Sequence, residues 1–136
     1  MEFKLCYKSY PFKISQGACK KFFEQTGLDL QTVFLTYICK FHETQDLTVG
    51  NRLVSLSNLY SRDVACKAMY QIAKEESDGV SIAELEDASF RVSWTANERN
   101  DNLSEPWPLV MVTIGLQINE YFSELTSGKK PDTLAG

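Results

Sequence analysis

The stretch Phe12–Leu30, which reads Phe-Lys-Ile-Ser-Gln-Gly-Ala-Cys-Lys-Lys-Phe-Phe-Glu-Gln-Thr-Gly-Leu-Asp-Leu, indicates how the first part of the chain folds. Two apolar residues, Phe12 and Ile14, flank a lysine in the pattern of a half-buried edge strand. Ser15 is a preferred residue just before a helix, and apolar residues then recur at helical spacing as far as Thr26. Gly27 suits the left-handed conformation that ends many helices. The stretch therefore predicts a strand, a short capped helix and a sharp stop.

The residues before this stretch predict a second strand. Phe3, Leu5 and Tyr7 alternate with two lysines and a cysteine, and a turn-prone Ser-Tyr-Pro segment leads to Phe12. Residues 2–15 therefore suggest a β-hairpin. Because two strands alone are marginally stable in water, we expect the hairpin to lie on helices or to extend a sheet in a neighbouring subunit.

Later amphipathic segments predict a mainly helical protein. Residues 31–43, 51–60 and 62–74 carry apolar residues at helical spacing, and Ser61 is a candidate N-cap. A capping box of Ser81 and Glu84 begins a further helix. The fold class expected is a small, mainly α domain with an N-terminal β-hairpin (α+β), comprising residues 1–126, followed by a flexible tail over 127–136.

Two regions have patterns that differ from those of the regular helices. The alternation of Phe90, Val92 and Trp94 suggests that the helix begun near Ser81 ends in extended form. Residues 95–108 are rich in asparagine and proline, which predicts a long irregular stretch.

Composition excludes several classes of protein. The 136 residues include 18 acidic residues against 14 lysines and arginines, and the basic residues are scattered, so we expect no binding of nucleic acid. The four cysteines have no Cys-x-x-Cys pair and no apolar leader follows Met1, which predicts reduced, buried thiols in a cytoplasmic protein. The longest apolar run, Leu109–Leu116, is too short to cross a membrane, so we expect no membrane insertion.

The N-terminal block resembles the start of the tail assembly chaperones of long-tailed, lambda-like bacteriophages. The shared features are the strand, Ser-x-Gly-Ala, a lysine pair, an aromatic pair and Thr-Gly-Leu-Asp-Leu. Later helices of that family are similar to Leu59-Tyr60, to residues 68–73 and to residues 79–88, where Ser-x-x-Glu-Leu-Glu begins a helix. The resemblance implies the short, unshifted form of such a chaperone.

The resemblance also implies partners and a location. The chaperone would bind the tape measure protein and keep it soluble for tail tube assembly, while a longer, frameshifted form would recruit the tail tube protein. It would act as a homo-oligomer in the host cell cytoplasm, would be absent from the finished virion and would use no cofactor.

The C-terminal residues Gly128, Lys129 and Lys130 are a candidate frameshift junction, because Gly-Lys-Lys can be encoded by a long run of A. In the family that this chain resembles, such a site near the end of the gene appends a longer C-terminal domain. The alternative is an ordinary solvated lysine pair in a frayed tail.

The segment from Trp107 to Leu125 predicts a helix with apolar residues on two sides. One broad stripe faces a core, and Leu109, Val112 and Leu116 form a second row opposite it. This row predicts a contact with another copy or with a client segment. It is also compatible with a central helix covered by its own chain, or with a buried strand over residues 110–114.

The helix predicted over residues 31–43 has an aromatic face. Phe34, Tyr37 and Phe41 lie on this face, together with Val33 and Ile38. We regard Phe34, Tyr37 and Phe41 as a second candidate surface for partner binding or self-association.

Catalytic patterns are weak in this sequence. Cys39 and His42 lie three residues apart on one predicted helix, but two ligands do not make a zinc site, and Cys39 follows Ile38 in an apolar run that suggests burial. No glycine-rich phosphate loop is present. We therefore expect no catalytic residue, no metal site, no cofactor site and no enzyme activity.

A second hypothesis comes from another functional class. The chain could be a small helical regulator or adaptor that uses Gln31–Phe41 or Arg62–Lys74 as a recognition helix on DNA. DNA binding of this kind would weaken steeply with salt.

Overall fold

The chain begins with the expected hairpin in a computed structural model that describes residues 1–93 and 105–128. Strands β1 (Glu2–Leu5) and β2 (Lys8–Pro11) pair antiparallel, with Phe3 opposite Tyr10. Phe3, Leu5 and Tyr10 are buried, so one face of the hairpin lies on the helices. Packing on the helices stabilises a two-stranded sheet that would be marginally stable alone.

Strand β2 lies earlier in the chain than the sequence pattern indicated. The expectation of a turn at Ser9–Pro11 is wrong, because these residues belong to β2 and the chain turns at Cys6 and Tyr7. The strand ends at Pro11, so the prediction that Phe12 and Ile14 belong to it is wrong. The Phe12 side chain is buried, and its backbone N–H donates to the Met1 carbonyl at 2.9 Å. The Lys13 N–H donates to the Ile72 carbonyl at 3.0 Å, so the segment ties the hairpin to a helix end instead of extending the sheet.

Both outer edges of the hairpin have local partners. The side-chain amide of Gln117 donates to the Glu2 carbonyl at 2.9 Å and accepts from the Glu2 N–H at 3.3 Å. On β2, Pro11 has no N–H, and its carbonyl accepts from the Ser77 hydroxyl at 2.9 Å. These groups reduce the capacity of the edges to pair with a strand of another chain.

Six helices follow in the described residues. They are α1 (Gln16–Thr26), α2 (Leu30–Glu43), α3 (Val49–Ser57), α4 (Arg62–Ala73), α5 (Ile82–Ser93) and α6 (Trp107–Thr126). A mainly helical fold with an N-terminal hairpin is therefore confirmed. As the sequence predicts, Ser15 and Ser61 cap α1 and α4, and Gly27 ends α1 with φ of 75°. Glycine is favoured there because a Cβ is strained at positive φ.

Three predictions about the later helices need correction. Helix α5 continues to Ser93, so the extended alternative is wrong for Phe90 and Val92, while Trp94 lies outside the described residues. Helix α6 begins at Trp107, so the irregular stretch ends before it, and residues 94–104 are outside the described ranges. The strand alternative for residues 110–114 is also wrong, because they belong to α6.

Helix α6 occupies a central position. It packs against β1, α2, α3 and α5, while α4 packs against α1 and α5. One buried apolar cluster includes residues from the hairpin and from each helix named above. No helix of the described ranges is both long enough and apolar enough to cross a membrane.

Candidate interaction surface

Helices α2 and α6 approach each other closely at Gly115. A Cβ built on this residue would lie 3.1 Å from the Phe34 carbonyl oxygen and 3.1 Å from two side-chain carbons of Ile38. These distances are tighter than ordinary carbon contacts, so a side chain at position 115 would require Ile38 and the α2 backbone at Phe34 to move by a few tenths of an ångström. A glycine within a helix lowers helix stability by about 1 kcal/mol relative to alanine. At Gly115 this loss is offset by the close packing of α2 against α6.

A groove runs along the outer side of this contact and is called the α2–α6 groove below. Its α2 wall consists of Phe34, Leu35 and Ile38, and its α6 wall consists of Gly115, Ile118 and Phe122. The cavity has a volume of about 180 Å³. Phe34 and Ile118 are buried in the floor, whereas Leu35 is 50% exposed at the lip.

The polar residues at this groove are uncharged. Gln31 and Asn119 complete its lining, so no charged side chain of residues 1–93 and 105–128 faces it. Gln31 and Phe122 also line a second, more polar depression of about 430 Å³ beside the start of α1, to which Ser15, Gln16 and Cys19 contribute. The two depressions therefore share a border at Gln31 and Phe122.

The predicted row on α6 is only partly exposed. Val112 is 3% exposed, so the expectation that it offers a free surface is wrong, because neighbouring elements of the same chain cover this side of α6. Leu109 is half-buried, and Leu116 is 42% exposed. The central-helix alternative describes Val112 best, and Leu116 remains available to a partner.

The predicted aromatic face on α2 belongs mainly to the core. Phe34 and Tyr37 are 2% and 0% exposed, so the expectation of a free aromatic surface is wrong for both. The Arg52 guanidinium lies 3.7 Å from the centroid of the Phe41 ring and donates to the Phe41 carbonyl at 2.7 Å. Arg52 thus covers Phe41 from α3 and satisfies a carbonyl at the end of α2.

The surface residue that the sequence analysis missed is Leu35. It lies outside the stripe of Val33, Phe34 and Tyr37, on the exposed face of α2 with Thr32. A large apolar residue on an otherwise polar helix face is a weak signal, because single exposed leucines are common. Gly115 was a clearer signal of the contact between α2 and α6, because a glycine within a helical pattern often marks a close approach to a neighbouring element.

The cysteines are all free thiols, but their burial differs from the prediction. Only Cys66 is buried, Cys6 and Cys19 are half-buried, and Cys39 is exposed, so the expectation of four buried thiols is wrong. Cys66 lies 3.2 Å from the Ser89 hydroxyl, and burial raises the pKa of its thiol.

The pair of Cys39 and His42 does not form part of a larger cluster. Both residues are exposed on α2. Within residues 1–93 and 105–128, no group of three or more histidine, cysteine, aspartate or glutamate side chains is placed to hold a metal ion.

A polar contact, called the hairpin–α5 junction below, holds the hairpin against α5. The Glu84 carboxylate accepts from Lys8 Nζ at 2.6 Å and from the Tyr10 hydroxyl at 2.7 Å. These bonds, with Lys8 the larger cause, hold the pKa of Glu84 below its ordinary value. Burial and the same carboxylate raise the pKa of Tyr10.

The predicted capping box is present at the same place. The Ser81 hydroxyl accepts from the Glu84 N–H at 3.1 Å, and the Ser81 backbone helps to lower the pKa of the Glu84 carboxyl. One carboxylate therefore both begins α5 and attaches the hairpin to it.

The candidate DNA-recognition helices present few free cations. Seven of the twelve residues of α4 are buried, and Lys67 of α4 forms an ion pair with Asp63 at 3.0 Å. On α2, Lys40 pairs with Glu43 at 3.2 Å. Of the candidate frameshift residues, Gly128 follows α6 with φ of 84°, while Lys129 and Lys130 lie outside the described residues.

Comparisons with protein-family models, with curated proteins and with solved structures find no match for this chain. Arguments about function therefore depend on the residues and surfaces described above.

Proposed function

We propose that the protein is a tail assembly chaperone of a long-tailed bacteriophage, in its short, unshifted form. Its client would be the tape measure protein, which it would keep soluble until the tail tube assembles. The proposal combines the resemblance of residues 12–30 and of the later segments with one structural feature, the α2–α6 groove.

The groove carries the structural part of the proposal. A chaperone without catalysis must offer apolar surface that a client can cover, and contiguous apolar surface is a better indicator of such contacts than scattered exposed residues. Leu35 supplies this surface at the lip, with Ile38 and Phe122 half-buried beside it. Among the described residues, the lining contains no charged group that would have to lose its hydration when a client binds.

The proposed mechanism uses many copies. A groove of about 180 Å³ contacts only a few side chains, so a single copy would bind weakly. Several copies along one long client, or copies associated as a homo-oligomer, would bind firmly through avidity. The chaperone would act in the host cell cytoplasm, would be absent from the virion and would need no cofactor. A frameshifted form that extends beyond Gly128 would bring the tail tube protein.

Co-expression tests this function. The tape measure protein encoded by the same genome should be mostly insoluble when expressed alone and should become soluble with this protein. An unrelated aggregation-prone helical protein is the control and should not be rescued. Equal yields of soluble tape measure protein with and without this chain would refute the proposal.

The regulator hypothesis has no comparable observation in its favour. Most of α4 is committed to the core, and the described cations of α2 and α4 noted above are already paired. The chaperone is therefore the function that we propose.

A further inference from the structure

Helix α3 is held to the rest of the fold by few contacts. Only Leu56 of its nine residues is buried, whereas seven of the twelve residues of α4 are buried. Val49 and Val54 are 71% and 59% exposed. A helix of this length is marginal in water without packing, and Gly50 lowers its helix propensity further. The contacts that α3 does make therefore decide whether it stays in place.

The segment that contains α3 covers part of α2. Residues 48–60, called the α3 flap below, comprise the N-cap of α3, the helix and the turn that follows it. The Arg52 guanidinium of the flap lies over the Phe41 ring. The Tyr60 ring of the flap has its centroid 5.9 Å from that of Tyr37. Tyr37 and Phe41 stand one turn apart on α2, so one continuous segment contacts two successive turns of its aromatic face.

Arg52 makes the polar contacts between the α3 flap and the rest of the described chain. Its side chain donates to the Phe41 carbonyl at 2.7 Å and to the Thr44 hydroxyl at 3.3 Å. The other hydrogen bonds of the flap that involve described residues join flap residues to one another. A single side chain therefore provides the directional bonds that keep the flap on the end of α2.

A buried polar group at the same place opposes this closed arrangement. The Tyr37 hydroxyl is buried and has no hydrogen-bond partner among the described residues. Burial raises the pKa of this hydroxyl, and the neighbouring Tyr60 contributes to the rise, so the two phenol groups lie close together. A buried hydroxyl without a partner is unfavourable relative to one in water. Movement of the flap away from α2 would hydrate this group.

We infer that the α3 flap opens as a unit, with loss of the Arg52 contacts, and uncovers the aromatic face of α2 while the other helices stay packed. This inference goes beyond the proposed function and does not depend on it. Segments with few buried apolar contacts are the ones that open locally in native proteins. The opening exposes Tyr37 and Phe41, which belong to the surface that the sequence predicts for partner contacts and that the closed fold hides at Tyr37.

Hydrogen exchange of single backbone amides, followed by NMR, tests the opening. In the wild type, the amides of Leu53 and Leu56 should be at least about tenfold less protected than that of the buried Met69 in α4. Low concentrations of urea should reduce protection of the flap with a slope smaller than that for Met69, because opening exposes only part of the apolar surface. Equal protection, or a slope of zero for the flap, would overturn the inference.

Two variants separate local opening from global unfolding. Arg52→Met keeps a long side chain but removes both donated bonds, so protection of the flap amides should fall about tenfold. Ile72→Val shortens a buried side chain of α4 and should reduce protection of Met69 about fivefold, while the flap changes less than about twofold. A loss in the flap as large as that at Met69 in Ile72→Val would show that the flap opens only with the whole fold, and would overturn the inference.

A matched arginine variant controls for the change of charge. Arg91 lies on α5, is 66% exposed and pairs with Asp87 at 3.0 Å. Arg91→Met should change protection of the flap amides less than about twofold. Circular dichroism verifies that both arginine variants fold. Equal protection of the flap in Arg52→Met and Arg91→Met would overturn the role of Arg52 and with it the inference.

Tyr37→Phe tests the buried hydroxyl. This variant keeps the ring against Tyr60 and removes the group that opening hydrates, so protection of the flap amides should stay the same or rise by up to about fivefold. A decrease would contradict the inference, because the hydroxyl would then favour the closed flap.

Discussion

The hairpin–α5 junction and the α2–α6 groove are both built from distant parts of the chain, but they leave different groups at the surface. In the junction, the carboxylate of Glu84 is met by Lys8, Tyr10 and the Ser81 backbone. In the groove, α6 approaches the α2 backbone closely at Gly115, and the apolar side chain of Leu35 is half exposed to solvent. The first contact is completed within one chain, whereas the second leaves apolar surface that a further chain can cover.

The largest expected effect is the difference in folding stability lost on truncating a side chain in the floor of the groove and one at its lip. Phe34→Ala removes a ring that is 2% exposed, and we expect it to lower the free energy of unfolding by about 3–5 kcal/mol. Leu35→Ala is the control, and because this side chain is 50% exposed it should cost only about 1 kcal/mol. Urea denaturation measures both, and similar losses would show that Leu35 belongs to the core.

The next effect concerns the junction. Glu84→Gln removes the charge from an acceptor of two short, partly exposed bonds, and we expect a loss of about 1 kcal/mol in the free energy of unfolding at neutral pH. Glu76→Gln is the control, because the carboxylate of Glu76 lies 3.5 Å from Lys13 and is 40% exposed, so its loss should be smaller than that of Glu84→Gln.

The pH dependence of this difference follows from the pKa of Glu84. That pKa is lower in the folded chain than in the unfolded chain. The carboxylate therefore stabilises the fold at pH values above the pKa that Glu84 has in the unfolded chain. The contribution disappears as the pH falls through the lowered folded value. Wild type and Glu84→Gln should therefore become more alike in acid, and a constant difference from neutral to acidic pH would contradict the assignment.

The same substitution at two glycines should have opposite signs. Gly115→Ala crowds the Phe34 carbonyl and Ile38, and overpacking of about 1–3 kcal/mol exceeds or matches the gain in helix propensity of about 1 kcal/mol. We expect a net loss of about 1 kcal/mol and a wider groove. Gly50→Ala meets no atom within 4 Å in α3 and should stabilise by up to about 1 kcal/mol. Thermal unfolding of both variants checks the signs.

The smallest effect tests a polar group on the buried side of α2. The Tyr37 hydroxyl is buried and has no hydrogen-bond partner among the described residues, and burial raises its pKa. Tyr37→Phe removes this unpaired group and keeps the ring, so the free energy of unfolding should stay the same or rise by up to about 1 kcal/mol. A loss of more than 1 kcal/mol in denaturation would show that the hydroxyl does have a partner.

Local chemistry made much of the fold predictable. Ser15, Gly27 and Ser61 act through neighbours within a few residues, so their roles as caps and stop could be read from the chain. The start of α3 was missed by two residues, because Thr48 was not recognised as its N-cap. The capping box of Ser81 and Glu84 was predicted for the same local reason.

Long-range contacts could not be predicted in this way. Burial of Val112 depends on elements far away in the sequence, and so does the contact between Gln117 and Glu2. The second role of Glu84, in holding the hairpin, depends on residues more than seventy positions earlier. The groove also depends on a long-range contact, because Leu35 lines a cavity only when α6 packs beside α2.

The occupied edges of the hairpin affect how this protein can meet other chains. At Glu2, which is bonded to Gln117, and at Pro11, which lacks an N–H and whose carbonyl is bonded to Ser77, an incoming strand finds no free backbone hydrogen-bonding group. Addition of a strand from another copy, which can lead to cross-β association, is therefore less favourable at these positions. Contacts with other chains would then form through side chains on the helices, and not through the backbone of the hairpin.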